Sequence, residues 1–395
     1  TVVTGGVDPT GNLALAGGTN VVDVDDGDDI SGANISATGG SYNIQLNGAA
    51  TMTAAQHNTA DDILDGTGSD QITFTDAFTG TGDTNVETYV LADGVANSIT
   101  LGTAGQDVTG GTGDDTVVTG GVTPTGTLAL AGGTNVVDID DGDDISGANI
   151  SATGGTYNIQ LNGAATMTVA QHTGAGDILA GGGSDQVTFT DAFTGTGDGD
   201  VETYVLADGG GNDFTLAASG QNVTGGTGDD TVNLGGFAPS STLDGGGGTD
   251  TLTTAQQTVD VSGATLTDVE QLQSTAGTAA TFTVTSAQLG TLDSFDSNVA
   301  HGTLEVTGTT LDASAIGTLT NVDTFTTTNT TGTDFTGTGA VDRIIGVGGD
   351  DTILGGAGND SLTGGGGNDT ITGTAGDLNG DTITDLSNGD AVLLT

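Results

Sequence analysis

The chain has 395 residues, with 52 acidic side chains and a single basic one, Arg343, for a formal net charge of −51 at neutral pH. Nucleic acids and anionic membrane surfaces are bound through lysine and arginine, so this charge excludes both as partners and favours cations. Leu, Ile, Val and Phe make up only 86 residues, beside 74 glycines and no cysteine, so neither one large core nor disulfides can hold a fold together. No apolar run approaches the length of a membrane span.

Internal repetition organises the chain. Residues 1–115 and 116–230 align without insertion or deletion and differ at 21 positions. We interpret residues 231–336 as a divergent third unit, and residues 337–395 as a nine-residue array with its closing segment. These four segments are the predicted domains. The chain begins at the residue that directly follows the sequence GGTGDD in the later copies, so we expect the repeats to continue upstream.

The local pattern predicts an all-β fold. Turn residues recur about every 23 positions, which predicts about five coils in each 115-residue unit. The sequences TMTAAQHN and TMTVAQHT indicate a helical turn in each copy, and VETYVLAD indicates a core strand. A parallel β-solenoid, or β-helix, tolerates the low apolar content because each coil packs small residues against its neighbours. Stretches rich in Val, Ile, Thr and Tyr predict strands at Thr1–Thr4, Val21–Val24, Tyr42–Leu46, Gln71–Thr75 and Glu87–Leu91.

The densest negative charge lies in the sequence DVDDGDD at residues 23–29 and in its copy DIDDGDD at residues 138–144. Five carboxylates in seven residues repel one another unless a cation lies between them, which favours calcium over a solvated acidic face. The pattern is not an EF-hand, because its glycine lies one position early and no glutamate occupies position 12. The candidate ligands are Asp23, Asp25, Asp28, Asp138, Asp140 and Asp143.

Three histidines occur, namely His57, its copy His172, and His301. None has a second histidine or a cysteine nearby in the sequence, as a zinc site would require. We therefore expect solvated or capping histidines. The single arginine, Arg343, is expected to pair with a neighbouring carboxylate.

A glycine-rich turn that contains an aspartate recurs singly in the long units. It lies at residues 110–118, 225–233 and 245–253, and without its first glycine at residues 65–73 and 180–188. One turn cannot surround an ion, so a turn from a neighbouring coil must contribute, and Asp230 and Asp250 could form such a pair. Glycine turns without metal are the alternative. The candidate ligands here are Asp70, Asp115, Asp185, Asp230 and Asp250.

Residues 337–372 repeat a nine-residue pattern with glycine first, aspartate sixth and an apolar residue eighth. Glycine lets the backbone curl so that its carbonyls converge, and the aspartate supplies the hard oxygen that calcium prefers. If each unit is half a turn, Asp342 pairs with Asp360, and Asp351 with Asp369, around one ion each. The apolar residues Ile344, Ile353, Leu362 and Ile371 would point into a thin core. The candidate ligands are these four aspartates with Asp381, and the glycines Gly337, Gly339, Gly346, Gly355, Gly356, Gly358, Gly364, Gly365 and Gly367.

These residues resemble the repeats-in-toxin (RTX) family, whose nonapeptide is GGxGxDxUx with U a large apolar residue. GGAGNDSLT at 355–363 and GGGGNDTIT at 364–372 match it completely, while GTGAVDRII and GVGGDDTIL before them match with substitutions. The sequence NGDTITDLSNGDAVLL at 379–394 resembles the segment that ends such arrays. The resemblance implies a C-terminal right-handed parallel β-roll that binds several Ca²⁺ ions, and type I secretion from a Gram-negative bacterium.

The predicted function is structural: a secreted, calcium-dependent building block that self-associates into a layer or fibre on the cell surface. The chain resembles, more loosely, large RTX-like surface-layer proteins, and any anchor to a cell-surface polysaccharide would lie outside it. The sequence contains no GxSxG, HExxH or P-loop pattern, so we expect no enzyme. The alternatives are the stalk of a large RTX adhesin and the calcium-folding secretion region of a type I-secreted enzyme.

Calcium is expected to be a requirement for folding. Extracellular calcium modules bind with Kd of about 10⁻⁴–10⁻³ M. At a calcium concentration ten times Kd, each site stabilises the folded state by about 1.4 kcal/mol. Several sites together reach the stability of a typical domain, so the chain would stay unfolded in a calcium-poor cytosol and fold outside the cell.

Overall fold

The computed structural model describes residues 1–66, 68–181 and 183–395. The chain forms two compact units, Thr1–Thr190 and Asp191–Thr395. Each unit is a parallel β-solenoid in which short strands of successive turns pair side by side, which confirms the predicted fold class. The first unit ends inside the second sequence repeat, so the four predicted domains stay a prediction about the repeat pattern.

The first unit is built from short strands and two helices. Its strands pair in the orders β1-β2-β4-β6, β3-β5-β7-β9-β11-β13-β16, β8-β10-β12-β14-β17-β19 and β15-β18-β20. The bounds are β1 Val2–Val3, β2 Gly11–Asp25, β3 Asp28–Asp29, β4 Ala33–Asn47, β5 Ala49–Met52, α1 Ala54–Thr59, β6 Ile63–Leu64, β7 Gln71–Phe74, β8 Thr79–Thr81, β9 Thr88–Val90, β10 Ser98–Thr100, β11 Asp107–Thr109, β12 Thr116–Val118, β13 Thr127–Leu130, β14 Gly133–Ile139, β15 Asp143–Asp144, β16 Asn149–Ala152, β17 Gly155–Leu161, β18 Ala164–Met167, α2 Val169–Gly174, β19 Ile178–Ala180 and β20 Gln186–Phe189.

The second unit has the same construction, with two short 3₁₀ helices at Gln288–Gly290 and Ala313–Ala315. Its strands pair in the orders β22-β24-β26-β29, β21-β23-β25-β27-β30-β32-β35, β28-β31-β33-β36-β38-β40-β42 and β34-β37-β39-β41-β43. The bounds are β21 Thr194–Thr196, β22 Thr203–Val205, β23 Asp213–Thr215, β24 Asn222–Thr224, β25 Thr231–Asn233, β26 Thr242–Asp244, β27 Thr251–Thr254, β28 Thr258–Asp260, β29 Thr265–Thr267, β30 Gln271–Ser274, β31 Thr281–Val284, β32 Ser294–Asp296, β33 Gly302–Val306, β34 Thr310–Asp312, β35 Thr318–Thr320, β36 Val322–Thr327, β37 Asp334–Thr336, β38 Arg343–Ile345, β39 Thr352–Leu354, β40 Ser361–Thr363, β41 Thr370–Gly373, β42 Thr382–Ile383 and β43 Ala391–Leu394.

One turn of the solenoid is shorter than the predicted 23 residues through most of the first unit. Asp28 faces Ala50, an offset of 22, but Gln71 faces Thr88, an offset of 17. Along one sheet, the residue paired five turns after Asp28 is Leu128, and the residue paired six turns after it is Ile150. These steps span 100 and 122 residues, so a 115-residue repeat covers between five and six turns, and the prediction of five coils is wrong.

A non-integral number of turns changes the sheet to which a repeated residue belongs. Asp28 lies in the sheet that continues to β16, whereas its copy Asp143 lies in a different sheet, with β18 and β20. Both copies nevertheless face the equivalent alanine of the next turn, Ala50 for Asp28 and Ala165 for Asp143.

The core is a stack of single apolar residues. In most three-residue strands the central side chain is buried and its neighbours are half-buried or exposed, as period-two alternation requires. Ile72 faces Tyr89, and Tyr89 faces Val108, so each apolar side chain packs on the one in the next turn. Burying one such side chain contributes about 1.5–3 kcal/mol, which lets a chain poor in apolar residues build a continuous core. The eighth-place residues of the array are buried as predicted.

The predicted helical turn is present in both copies. The side-chain oxygen of Thr53 accepts the N–H of Gln56, and the Gln56 side chain accepts the N–H of Thr53, a capping box that begins α1. His57 in this helix is buried among Phe74, Phe78 and Tyr89, with ring centroids 5.1–5.8 Å away. Burial lowers the pKa of His57, so it is a neutral core residue, and the expectation of a solvated histidine is wrong for it.

Candidate calcium-binding turns

The array aspartates lie in the turns that directly precede short strands of the second unit. Asp351 precedes β39, whose central residue Ile353 is buried, and Asp360 precedes β40 in the same way. The alternation of the strand then places the aspartate on the same inward side as the apolar residue two positions later. Asp351 and Asp360 are each only 1% exposed. Local spacing alone therefore buries one carboxylate in every half-turn.

Aspartates of adjacent turns are linked through the backbone. The N–H of Asp342 donates to Oδ1 of Asp360 at 3.0 Å, and the N–H of Asp351 donates to Oδ1 of Asp369 at 2.9 Å. Both links span 18 residues, as the strand register does. The structure thus brings together the two pairs that the half-turn hypothesis predicts.

Each ladder extends by one more aspartate. Asp360 donates its N–H to Oδ1 of Asp381, and Asp369 donates its N–H to Oδ1 of Asp390, both at 2.9 Å. Asp381 was among the predicted ligands, but Asp390 was missed. The signal for it was a second NGD sequence, at residues 388–390, which repeats the one that contains Asp381.

The second carboxylate oxygen of three ladder aspartates has no donor. Oδ2 of Asp351, Asp360 and Asp381 is buried and accepts no hydrogen bond from the described residues. Burial, together with the neighbouring carboxylates, raises the pKa of Asp351 to about 6 and also raises the pKa of Asp360. Leaving a buried carboxylate oxygen unpaired costs free energy, so a positively charged partner at these turns would stabilise them.

The glycines of the array leave room for these oxygens. A Cβ on Gly346 would lie 2.2 Å from Oδ2 of Asp351 and 2.3 Å from the carbonyl oxygen of Gly364. The same clash with an Oδ2 occurs at the first-position glycines Gly337, Gly355 and Gly364. Gly356, Gly358, Gly365 and Gly367 have φ angles between 92° and 155° and approach carbonyl oxygens of the preceding turn. Gly339 differs, since a Cβ there would meet no atom within 4 Å.

The donor set of these turns fits calcium. Carboxylate and carbonyl oxygens are the ligands that this hard cation prefers, and a buried oxygen without a donor requires one. Asp351 with Asp369, and Asp342 with Asp360, would each hold an ion together with carbonyl oxygens of their turns, and Asp381 extends the second pair. A bound ion would neutralise the carboxylates. Asp342 has an additional partner, because the N–H of Thr338 donates to its Oδ2 at 2.6 Å.

A second acidic ladder lies at the single motif of residues 245–253. The N–H of Asp230 donates to Oδ1 of Asp250, and the N–H of Asp250 donates to Oε2 of Glu270, both at 2.7 Å. Oδ2 of Asp250 is buried without a donor in the part of the chain that the structure describes. Burial, with Asp230 and Glu270 adding repulsion, raises the pKa of Asp250 to about 6. The predicted pair is in place, and Glu270 is a residue that sequence reasoning missed.

Other single motifs have a different environment. Asp115 and Asp230 accept hydrogen bonds from Asn97 and Asn212 one turn earlier. Asp70 accepts from Gly48 at 2.8 Å, and its own N–H donates to Glu87. Asp185, the copy of Asp70, is buried. These turns share the glycine and aspartate pattern, and they differ in the residue that the next turn supplies.

The structure does not gather the acidic clusters into one group. Asp23 and Asp25 lie in β2 with half-buried side chains, whereas Asp28 in β3 is buried. Oδ1 of Asp23 accepts a hydrogen bond from Asn47 at 2.6 Å, and Oδ1 of Asp138 accepts one from Asn162 in the same way. Asp140, the copy of Asp25, directly follows β14. Oδ2 of Asp143 is buried without a donor from the described residues. Across the described ranges, no three His, Cys, Asp or Glu side chains converge to hold a metal.

The structure also places His301 and Arg343. Nδ1 of His301 and Oδ2 of Asp323 are 2.7 Å apart on the surface. Arg343 forms no ion pair with any described residue, so the expectation of a carboxylate partner is wrong for it.

Comparison with known proteins agrees with the geometry. A model of the RTX calcium-binding nonapeptide repeat (4 copies) matches residues 240–257 and 336–377, which contain Asp250 and the array aspartates. No curated protein matches the chain. In the described residues, no helix is both long and apolar enough to cross a membrane. The matched motifs lie in a parallel β-solenoid, and the chain therefore carries RTX calcium-binding nonapeptide repeats.

Proposed function

We propose that this chain is a secreted, calcium-dependent structural protein that assembles into a surface layer or fibre of a Gram-negative bacterium. It has no catalytic activity of its own under this proposal. The observation that carries the proposal is the ladders of buried aspartates on adjacent turns, in which Asp250, Asp351 and Asp360 each keep one oxygen without a donor among the described residues. Such turns reach their full stability only when a cation binds.

Self-association is supported by repetition and by one exposed strand. Near-identical repeats build a solenoid whose turns stack by the same contacts, and an open strand edge invites a further strand. In the described residues β43 pairs with β41 alone, and its Val392, Leu393 and Leu394 are exposed. Stacking of this head-to-tail kind produces filaments or lattices.

The test is a calcium titration of the chain, from a calcium-free buffer to millimolar Ca²⁺, with Mg²⁺ as the control ion. Circular dichroism, light scattering and electron microscopy are recorded on the same samples. A β signal and scattering that rise together under Ca²⁺ alone, with ordered polymers, are expected. A rising β signal in a chain that stays monomeric would contradict assembly and favour an adhesin stalk or a secretion region. A spectrum that calcium does not change would contradict the calcium dependence.

A further inference from the structure

Asparagine replaces the first aspartate of a pair in two places of the solenoid. Asn97 faces Asp115 in the first unit, and Asn212 faces Asp230 in the second, both at the 18-residue spacing of Asp351 and Asp369. A buried apolar residue follows each asparagine two positions later, as in the array. The spacing and the inward apolar residue are thus the same, and the side chain that bridges the two turns differs.

The amide nitrogen of Asn97 takes the place of an oxygen that is unpaired among the described residues of the acidic ladders, because Oδ1 of Asn97 accepts the N–H of Phe78 as Oδ1 of Asp351 accepts that of Thr333. Its Nδ2 donates to Oδ1 of Asp115 at 2.7 Å and to the carbonyl oxygens of Ala92 and Val95 at 3.0 and 3.2 Å. Oδ2 of Asp115 accepts the N–H of Gly111 at 2.8 Å. The amide orientation is set by its other end, because Oδ1 of Asn97 accepts the N–H of Phe78.

The second unit repeats this arrangement. Nδ2 of Asn212 donates to Oδ1 of Asp230 at 2.8 Å and to the carbonyl oxygens of Ala207 and Gly210 at 3.1 and 3.3 Å. The N–H of Gly226 donates to Oδ2 of Asp230 at 2.8 Å. In both copies, two amide protons bridge one carboxylate and two carbonyls, which is the task of a cation in an acidic turn.

The repeats supply a third comparison, at positions 20, 135 and 250. Nδ2 of Asn20 donates to the carbonyl oxygens of Ala16 and Ser41, and Nδ2 of Asn135 donates to that of Thr156. Their counterpart in the third repeat is Asp250, which has no amide to donate and keeps a buried oxygen unpaired. An exchange of asparagine for aspartate at one repeat position therefore coincides with the loss of the bridging donor.

We infer that the asparagines are built-in substitutes for calcium, so that the turns joined by Asn97 and by Asn212 form without metal. Calcium is then required where acid faces acid without a bridging amide, as at Asp250 and in residues 337–391. This second half rests on the proposed function. A chain divided in this way keeps metal-independent turns folded at low calcium and adds the acidic turns when calcium rises, in contrast to the expectation that the whole chain needs calcium.

Hydrogen exchange of the full chain with and without Ca²⁺ tests this division, with mass spectrometry reporting on separate peptides. In calcium-free buffer, wild-type residues 92–118 should be protected and residues 337–372 should exchange, and Ca²⁺ should protect the latter. In Asn97→Asp two carboxylates face each other, so exchange in 92–118 should become about ten-fold faster without calcium, and Ca²⁺ should restore it. Asn34→Asp is the control, because Asn34 is exposed and the same charge is added.

A reverse variant keeps the inference testable if Asn97→Asp does not fold. Asp351→Asn places an amide before Asp369, so protection of this turn in calcium-free buffer should rise about ten-fold and its response to calcium should shrink. The inference would be overturned if residues 92–118 of the wild type were protected from exchange only with calcium. It would also be overturned if calcium did not restore protection in the Asn97→Asp variant. If residues 337–372 are protected without calcium in the wild type, the proposed function fails, while the protection of 92–118 still reports on the asparagines.

Discussion

Asp351 and Asp369 lie on adjacent turns, and the N–H of Asp351 donates a 2.9 Å hydrogen bond to Oδ1 of Asp369. The same pair leaves Oδ2 of Asp351 buried without a donor in the described residues. The hydrogen bond thus holds the two turns in register, while Oδ2 of Asp351 is available to bind a cation. The relationship explains how one residue type can serve both the fold and the binding of calcium.

Removal of the carboxylate of Asp369 should weaken both roles. In Asp369→Ala the buried N–H of Asp351 loses its acceptor, which costs about 1–3 kcal/mol of unfolding free energy, and one calcium site loses a ligand. Denaturant unfolding in saturating calcium and the stoichiometry of bound Ca²⁺ measure the two effects. Asp213→Ala is the control, because Asp213 is exposed on β23. An unchanged stoichiometry would contradict the placement of the ion at this pair.

The first-position glycine of the array should not tolerate a side chain. In Gly346→Ala the new Cβ would lie 2.2 Å from Oδ2 of Asp351, so the turn must shift, with a loss of about 1–3 kcal/mol and weaker calcium binding. Gly366→Ala is a matched control in the same array, since a Cβ there meets no atom within 4 Å. Thermal unfolding of both variants with calcium measures the difference. Equal losses in the two variants would contradict the crowded turn as the cause.

Stability without calcium should decrease as the pH rises. The folded-state pKa values of Asp250 and Asp351 are about 6, above their usual value of 3.8, so the folded chain binds more protons than the unfolded chain between these values. The melting midpoint in calcium-stripped buffer should therefore be highest near pH 4 and fall through pH 6. Protonation of the other carboxylates at low pH weakens their repulsion and also stabilises the folded chain. The double variant Asp250→Asn, Asp351→Asn is therefore needed for comparison. It should show a weaker pH dependence, and an equal one would contradict the assignment.

The buried glutamine of the helical turn should stabilise the first unit whether or not calcium is present. Nε2 of Gln56 donates to the carbonyl oxygens of Ile30 and Ala33 at 2.6 and 2.8 Å, and its Oε1 accepts the N–H of Thr53 at 2.8 Å. Gln56→Ala removes three hydrogen bonds, with an expected loss of about 3 kcal/mol. Hydrogen exchange of residues 28–64 in calcium-free buffer measures it, and exposed Gln256 provides the control Gln256→Ala. A calcium-dependent loss would be evidence against a structural role.

Much of the solenoid could be predicted because its information is local. The alternation of one inward apolar residue with threonine specifies a strand, and glycine with aspartate specifies a turn, all within nine residues. The pairs Asp342–Asp360 and Asp351–Asp369 follow from the repeat length alone, since every half-turn of the array has nine residues. The coil length elsewhere did not follow, because insertions of a few residues in a turn are tolerated without loss of strand pairing.

The sequence by itself determined that the chain would stack parallel turns and bury aspartates, because both depend on neighbours within a few positions. Only the tertiary structure decided which of those aspartates keeps an unpaired oxygen. Asp115 and Asp351 follow the same local motif. Oδ1 of Asp115 accepts the amide of Asn97 from the adjacent turn and its Oδ2 accepts the N–H of Gly111, whereas Oδ1 of Asp351 accepts the N–H of Thr333 and its Oδ2 accepts no hydrogen bond from the described residues. The reason is physical: a buried carboxylate is satisfied by whatever lies one turn away, and that distance in the sequence varies from 17 to 24 residues.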